Sequence, residues 1–84
     1  MYAIDMEPQA VEQLARIPNP DKRRIGRRIE RLAEDPRPSG CEKLDGQVDA
    51  YRIRQGSYRI VYWIDDSVRI VTITKIGQRG SVYR

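Results

Sequence analysis

The side chains best equipped for chemistry in this chain are arginines, and three of them lie close together. Arg52, Arg54 and Arg59 fall within the stretch Ala-Tyr-Arg-Ile-Arg-Gln-Gly-Ser-Tyr-Arg-Ile-Val-Tyr-Trp-Ile, from Ala50 to Ile64. A guanidinium stays charged at any physiological pH and presents a planar fork that matches the oxygens of a phosphate or carboxylate. A group of them is therefore suited to hold an anion, or to stabilise negative charge as it develops in a reaction. Strand side chains alternate between faces with a period of two. If Gln55, Gly56 and Ser57 turn the chain into a hairpin, Tyr51, Ile53, Tyr58, Ile60, Tyr62 and Ile64 share one face, and Arg52, Arg54 and Arg59 share the other with Val61 and Trp63. One arginine on an exposed strand is ordinarily a solvated face. Like charges opposite one another destabilise a sheet, so three on one face point to an anionic partner.

Composition narrows the chemistry further. The chain has 84 residues, no His, no Phe and a single cysteine, Cys41. Without His or a second Cys there is no Ser-His or Cys-His nucleophile, no intrachain disulfide, and no thiolate or imidazole metal site. Any catalysis rests on Arg, Lys, Tyr, Ser and carboxylates, and neither a cofactor nor a metal is expected. The formal charge of +4 favours a polyanionic or acidic partner. No apolar run approaches the roughly 18–20 residues needed to cross a bilayer, and the start Met-Tyr-Ala-Ile-Asp-Met lacks the features of a secretory signal, so a cytoplasmic protein without membrane contact is expected.

The elements that must position the arginines can be read in order. Tyr2, Ile4 and Met6 alternate as a short strand. Glu7-Pro8 opens a helix with Ala10, Val11, Leu14 and Ile17 at helical spacing, closed by Pro18 and Pro20. Asn19 is expected to cap a second helix, with Ile25, Ile29, Leu32 and Ala33 as its apolar stripe and Lys22, Arg23, Arg24, Arg27, Arg28 and Arg31 on its remaining face. Asp35 to Gly40 reads as a loop that continues through Cys41, Glu42 and Lys43 to a turn at Asp45-Gly46. After the arginine hairpin, Asp65-Asp66-Ser67 makes a turn, and Val68 to Ile76 reads as a strand with Arg69, Val71, Ile73 and Lys75 on one face. This predicts a single α+β domain over residues 1–84: a twisted, mostly antiparallel sheet in the order β-α-α-β-β-β, with a further strand optional, and an αα-hairpin covering one face.

Taken together, these pieces resemble the RelE/ParE toxin superfamily of bacterial toxin–antitoxin pairs. The resemblance rests on the helix pair ending Arg31-Leu32-Ala33-Glu34-Asp35-Pro36, on Lys43-Leu44-Asp45-Gly46, Tyr51-Arg52-Ile53-Arg54 and Gly56-Ser57-Tyr58-Arg59-Ile60-Val61-Tyr62, and on Ile76-Gly77-Gln78-Arg79 followed by Val82-Tyr83. It is nearer the RelE branch, whose members cleave messenger RNA in the ribosomal A site, than the ParE branch, which poisons DNA gyrase. It implies a RelE-like fold and a metal-independent endoribonuclease that inhibits translation. It also implies, as partners, a small acidic antitoxin with a helical segment, the ribosome and its mRNA, and operator DNA for the toxin–antitoxin complex. By motif, the family's two strand cations fall on Arg52 and Arg54, its transition-state arginine on Arg59, its second arginine on Arg79 and its terminal tyrosine on Tyr83.

Cleavage of this kind requires an acceptor for the 2′-hydroxyl proton, cations over the phosphorane and a donor for the leaving oxygen. On the resemblance, Arg59 bears the developing charge, Arg79 contacts the phosphate or the leaving oxygen, and Arg52 and Arg54 bind the backbone. Together they lower the pKa of Tyr83, which as an unperturbed phenol near 10 is a poor base. Well-studied relatives have lysines where Arg52 and Arg54 stand, and many have histidine where Gln78 stands. Arginine cannot serve as a base, which leaves Lys75 and Lys43 as possible substitutes, each otherwise an ordinary surface lysine, and both are counted with Arg52 and Arg54 among the RNA- and phosphate-binding candidates. Two other functions stay open: a ParE-like inhibitor of gyrase without enzymatic activity, and a catalytically weak module that binds an antitoxin.

Overall fold

Pro8 has no amide hydrogen to lose at the first turn of a helix, and Glu7 before it is extended, with its carbonyl accepting from Ala10 and Val11. Helix α1 accordingly runs Pro8–Ala15, and Pro18 and Pro20 separate it from α2, Asp21–Arg31. The structure, a computed structural model, describes residues 1–46 and 48–78. Its strands are β1 Ala3–Met6, β2 Glu42–Lys43, β3 Ala50–Gln55, β4 Tyr58–Asp65 and β5 Ile70–Gln78. They form one five-stranded sheet in the order β1-β5-β4-β3-β2, antiparallel except for the parallel pair β1–β5. The α+β architecture and helix-pair cover expected from the sequence are what is found, and a fifth strand, β2, lies in a stretch read as loop.

Both helices pack on the same sheet face, α1 against β5 and α2 against β3. Ala10, Ile17, Ile25, Ile29 and Leu32 meet Ile53, Ile60, Tyr62, Ile64, Val71, Ile73 and Ile76 in one core. In the absence of Phe, Tyr62 is the largest side chain buried there. Its hydroxyl donates to the Pro36 carbonyl at 2.8 Å and its ring stacks on Tyr51 at 6.0 Å. Outside the core, Arg37 ties the loop after α2 to the sheet, donating to Tyr51 at 3.0 Å and to both oxygens of Asp66 at 3.3 and 3.0 Å.

Four details differ from the sequence reading. The N-cap of α2 is Pro20, not Asn19; no side chain caps this helix, and the Pro18 and Pro20 carbonyls accept from Lys22 and Arg24 instead. Val11, assigned to the apolar stripe of α1, is half exposed, because Ala10, Leu14 and Ile17 already make the helix's contact with the sheet. Glu42 and Lys43, read as loop, pair with β3 as a short edge strand.

The fourth difference concerns β5. Arg69 lies in the preceding turn with φ +58, and the strand extends to Gln78. On β4, Val61 pairs with Lys75 while the next residue, Tyr62, pairs with Ile73. Thr74 is the extra residue of a β-bulge, held by its hydroxyl to the Val61 carbonyl at 3.2 Å. The bulge reverses the alternation beyond it. Val71 and Ile73 face the helices, and Lys75, expected beside them, faces the other way.

Candidate functional site

The face of the sheet turned away from the helices can be built row by row from the register. One row runs Glu42, Arg52, Val61, Lys75 across β2, β3, β4 and β5, and the next runs Arg54, Arg59, Gly77 across β3, β4 and β5. Rows are about 6.8 Å apart along a strand and neighbouring strands about 4.8 Å apart. Arg52, Arg54, Arg59 and Lys75 thus fit within the reach of a single phosphodiester and its neighbour. Lys43 does not join them: it pairs with Tyr51, so its position belongs to the opposite face, on an exposed edge strand. Arg79 and Tyr83 lie outside the described residues.

Depth separates the cations. Arg59 was expected on an open surface, yet it is only 7% exposed, the one buried charged side chain among the described residues. It stands on the central strand between Arg54 and Gly77, with two strands on each side. A charge in such a low-dielectric setting acts more strongly on a bound anion than one in water does. The Arg54 side chain remains 59% exposed and that of Arg52 21%. The cluster grades from a deep guanidinium to a solvent-facing one.

Glu42 is the residue that sequence reasoning missed. Its carboxylate accepts from Arg52 Nη2 at 2.7 Å and pairs with Arg54 Nη2 at 3.5 Å. The hydrogen bond from Arg52 holds the carboxyl below the usual range, and the charges of Arg52, Arg54 and Arg59 add to the effect. Nothing in Cys41-Glu42-Lys43 marks it, since a two-residue strand has no periodicity to read.

Further along β4, Trp63 is 40% exposed beside a surface cavity of about 410 Å³ lined also by Asp49, Asp65 and Asp66. Its acidic lining does not suit a polyanion, so the cavity is not an extension of the arginine site. Helix α2 holds six cationic and two acidic side chains, a net of +4 that equals the formal charge of the whole chain, but it sits on the opposite side of the sheet. Arg28 links the two regions, its guanidinium donating to the Arg54 carbonyl at 3.5 Å. Among the described residues no cluster of His, Cys, Asp and Glu is suited to a metal ion, and no helix is long and apolar enough to cross a membrane.

Comparison with known proteins places this geometry. The family described as the ParE toxin of the type II toxin–antitoxin system parDE matches residues 4–83. The chain belongs to this family, within the RelE/ParE toxin superfamily. The mRNA interferase toxin RelE of Escherichia coli is 26% identical to it over 80 residues, covering 93% of this chain and 83% of that one. The crystal structure of isolated Escherichia coli RelE superposes with a TM-score of 0.83 at 25% identity, covering 99% of this chain and 92% of the other. The RelE of the archaeal RelE–RelB complex from Pyrococcus horikoshii OT3 superposes with a TM-score of 0.81 at 27% identity, covering 95% and 97%. This toxin family's fold is thus the scaffold on which Arg52, Arg54, Arg59 and Lys75 meet.

Proposed function

We propose that this toxin is an endoribonuclease that cleaves messenger RNA on the ribosome, with Arg59 as the residue that stabilises the transition state. The observation that carries the reading is a buried guanidinium, Arg59, flanked by Arg52, Arg54 and Lys75 on the sheet face left open by the helices. Its relative from Escherichia coli is named an mRNA interferase, which supports the same chemistry.

In the proposed reaction the ribose 2′-oxygen attacks the adjacent phosphorus, its proton passes to a base, and the bond to the 5′-oxygen breaks as that oxygen gains a proton. The products are a 2′,3′-cyclic phosphate and a 5′-hydroxyl. Arg59 sits against the charge that develops on the phosphorane oxygens, while Arg52, Arg54 and Lys75 hold the backbone on either side. By family resemblance Tyr83 takes the 2′-hydroxyl proton and Arg79 contacts the phosphate or the leaving oxygen; both lie outside the described residues. Surrounding guanidiniums make a phenol a better base by stabilising its anion. The ribosome supplies substrate positioning, which alone can be worth effective molarities of roughly 10⁵–10⁸ M.

The protein acts in the cytoplasm and is held inactive by a cognate antitoxin, as the solved RelE–RelB complex of a relative suggests. An acidic segment complements the arginine face, an apolar helix covers exposed nonpolar surface, and the complex binds its operator DNA. Adding purified protein to a translation extract and mapping the 5′ ends of the message tests the reading. Discrete cuts within the translated region are expected; intact message with undiminished protein synthesis would overturn it. The family's ParE description keeps gyrase inhibition as a second reading. Loss of supercoiling activity that persists in Arg59→Ala, with the message intact, would select it.

A further inference from the structure

We propose that Glu42 is a displaceable counter-ion built into the phosphate site: its carboxylate occupies the arginine donors that an RNA phosphate must take, and it leaves when the substrate binds. This rests on the ribonuclease reading above and specifies how that site is regulated. A carboxylate and a phosphodiester present similar pairs of oxygens to a guanidinium fork. Glu42 uses one oxygen for Arg52 Nη2 at 2.7 Å and the other for Arg54 Nη2 at 3.5 Å, bridging two arginines that lie two residues apart on β3. Any phosphate that engages both arginines through the same nitrogens competes with it directly.

The scaffold around Glu42 fits an exchangeable partner. β2 consists of Glu42 and Lys43 alone, pairs only with β3, forms the outer edge of the sheet, and is flanked by turns on both sides. The Glu42 side chain is 45% exposed, so water can take over its solvation once it is released. Arg54 and Arg59 stand directly opposite one another, an arrangement of like charges that a nearby carboxylate makes less unfavourable. Glu42 offsets that repulsion until a substrate does so better. Because a weak or isolated phosphate must displace an intramolecular carboxylate, while a strand engaging Arg52, Arg54, Arg59 and Lys75 together compensates for the loss, the device favours extended RNA over stray anions.

The test uses the full-length protein and a short 2′-O-methyl oligoribonucleotide, which lacks the nucleophile and cannot be cleaved. Its affinity is measured by fluorescence anisotropy across a salt series for wild type, Glu42→Gln and Glu12→Gln. The last makes the same charge change on an exposed face of α1. Glu42→Gln is expected to bind about five- to tenfold more tightly and Glu12→Gln within about twofold of wild type. The slope of log affinity against log salt is expected to match that of wild type, because Glu42 leaves on binding and the same arginines contact phosphate in both complexes. In the translation extract Glu42→Gln should reach half-maximal cleavage at a lower substrate concentration than wild type. Affinity no tighter than that of Glu12→Gln overturns the proposal, as does unchanged binding with lost cleavage. Intact message with the wild-type protein would instead refute the nuclease reading, and absence of oligonucleotide binding in every protein would refute both.

Discussion

Replacing Arg59 by methionine separates the demands of folding from those of the reaction. The side chain is 7% exposed on the central strand, and its Cα partners are Arg54 on one side and Gly77 on the other. Methionine approximates its volume, so no large cavity opens, and the change removes a buried cation from directly opposite Arg54. Folding stability is therefore expected within about 1 kcal/mol of wild type, or slightly higher, by urea denaturation. Loss of one preorganised charge at a transition state costs about 10²–10³ in rate, equivalent to about 2.7–4 kcal/mol. The assay is single-turnover cleavage of message in a translation extract, with 5′ ends quantified over time. Arg59→Lys keeps the charge as a point but loses the fork, and should fall between the two, about tenfold below wild type. Arg54→Met, removing a mostly exposed guanidinium, should have a smaller effect than Arg59→Met. Cleavage by Arg59→Met within about threefold of wild type would refute the assignment, because a buried guanidinium at the reaction centre cannot be dispensable.

Other outcomes follow from the packing and charge pattern. Ile60→Ala, at a fully buried site on β4, should cost about 2–5 kcal/mol in chemical denaturation and lower the melting temperature by several degrees per kcal/mol. Deleting Thr74 removes the extra residue and leaves Ile73, Lys75 and Ile76 opposite Tyr62, Val61 and Ile60 in a regular ladder, so cooperative unfolding monitored by circular dichroism should persist; its loss would refute the bulge assignment. Asp66 is held below the usual carboxyl range, first by the hydrogen bond from Arg37 and next by that from Tyr2. A depressed folded-state value means that this stabilisation is present above the unfolded pKa of about 3.9 and is lost as pH falls through the folded value. Asp66→Asn should therefore lower the melting temperature near neutral pH and flatten its decline in acid.

How much of this was legible in the sequence depended on whether a signal repeated. The hairpin could be read because Tyr51, Ile53, Ile60, Tyr62 and Ile64 keep a period of two on either side of Gly56, which takes φ +61 in the two-residue turn that joins the strands. The helix pair was legible from its prolines and isoleucine spacing. The bulge was overlooked although a trace of it existed: Val71 and Ile73 are two apart, but the next buried residue, Ile76, is three further on. That odd interval is what an inserted residue produces, and it decided the side on which Lys75 lies. The burial of Arg59 was hidden because alternation assigns a face and says nothing of how deep a central strand sits within it. Glu42 had no sequence signal, since its role arises from an edge pairing with β3 that spans ten residues of chain.

The proposed reaction stands on attack by a ribose 2′-hydroxyl driven by guanidiniums on this sheet face. The most direct measurement supplies the translation extract with a message carrying a single 2′-deoxyribose on the 5′ side of a mapped cut, and analyses the termini at that position. The all-ribose message is expected to end in a 2′,3′-cyclic phosphate facing a 5′-hydroxyl, and the deoxy substitution to abolish the cut while neighbouring sites persist. Cleavage that continues at the deoxyribose, or that leaves a 5′-phosphate, would contradict it.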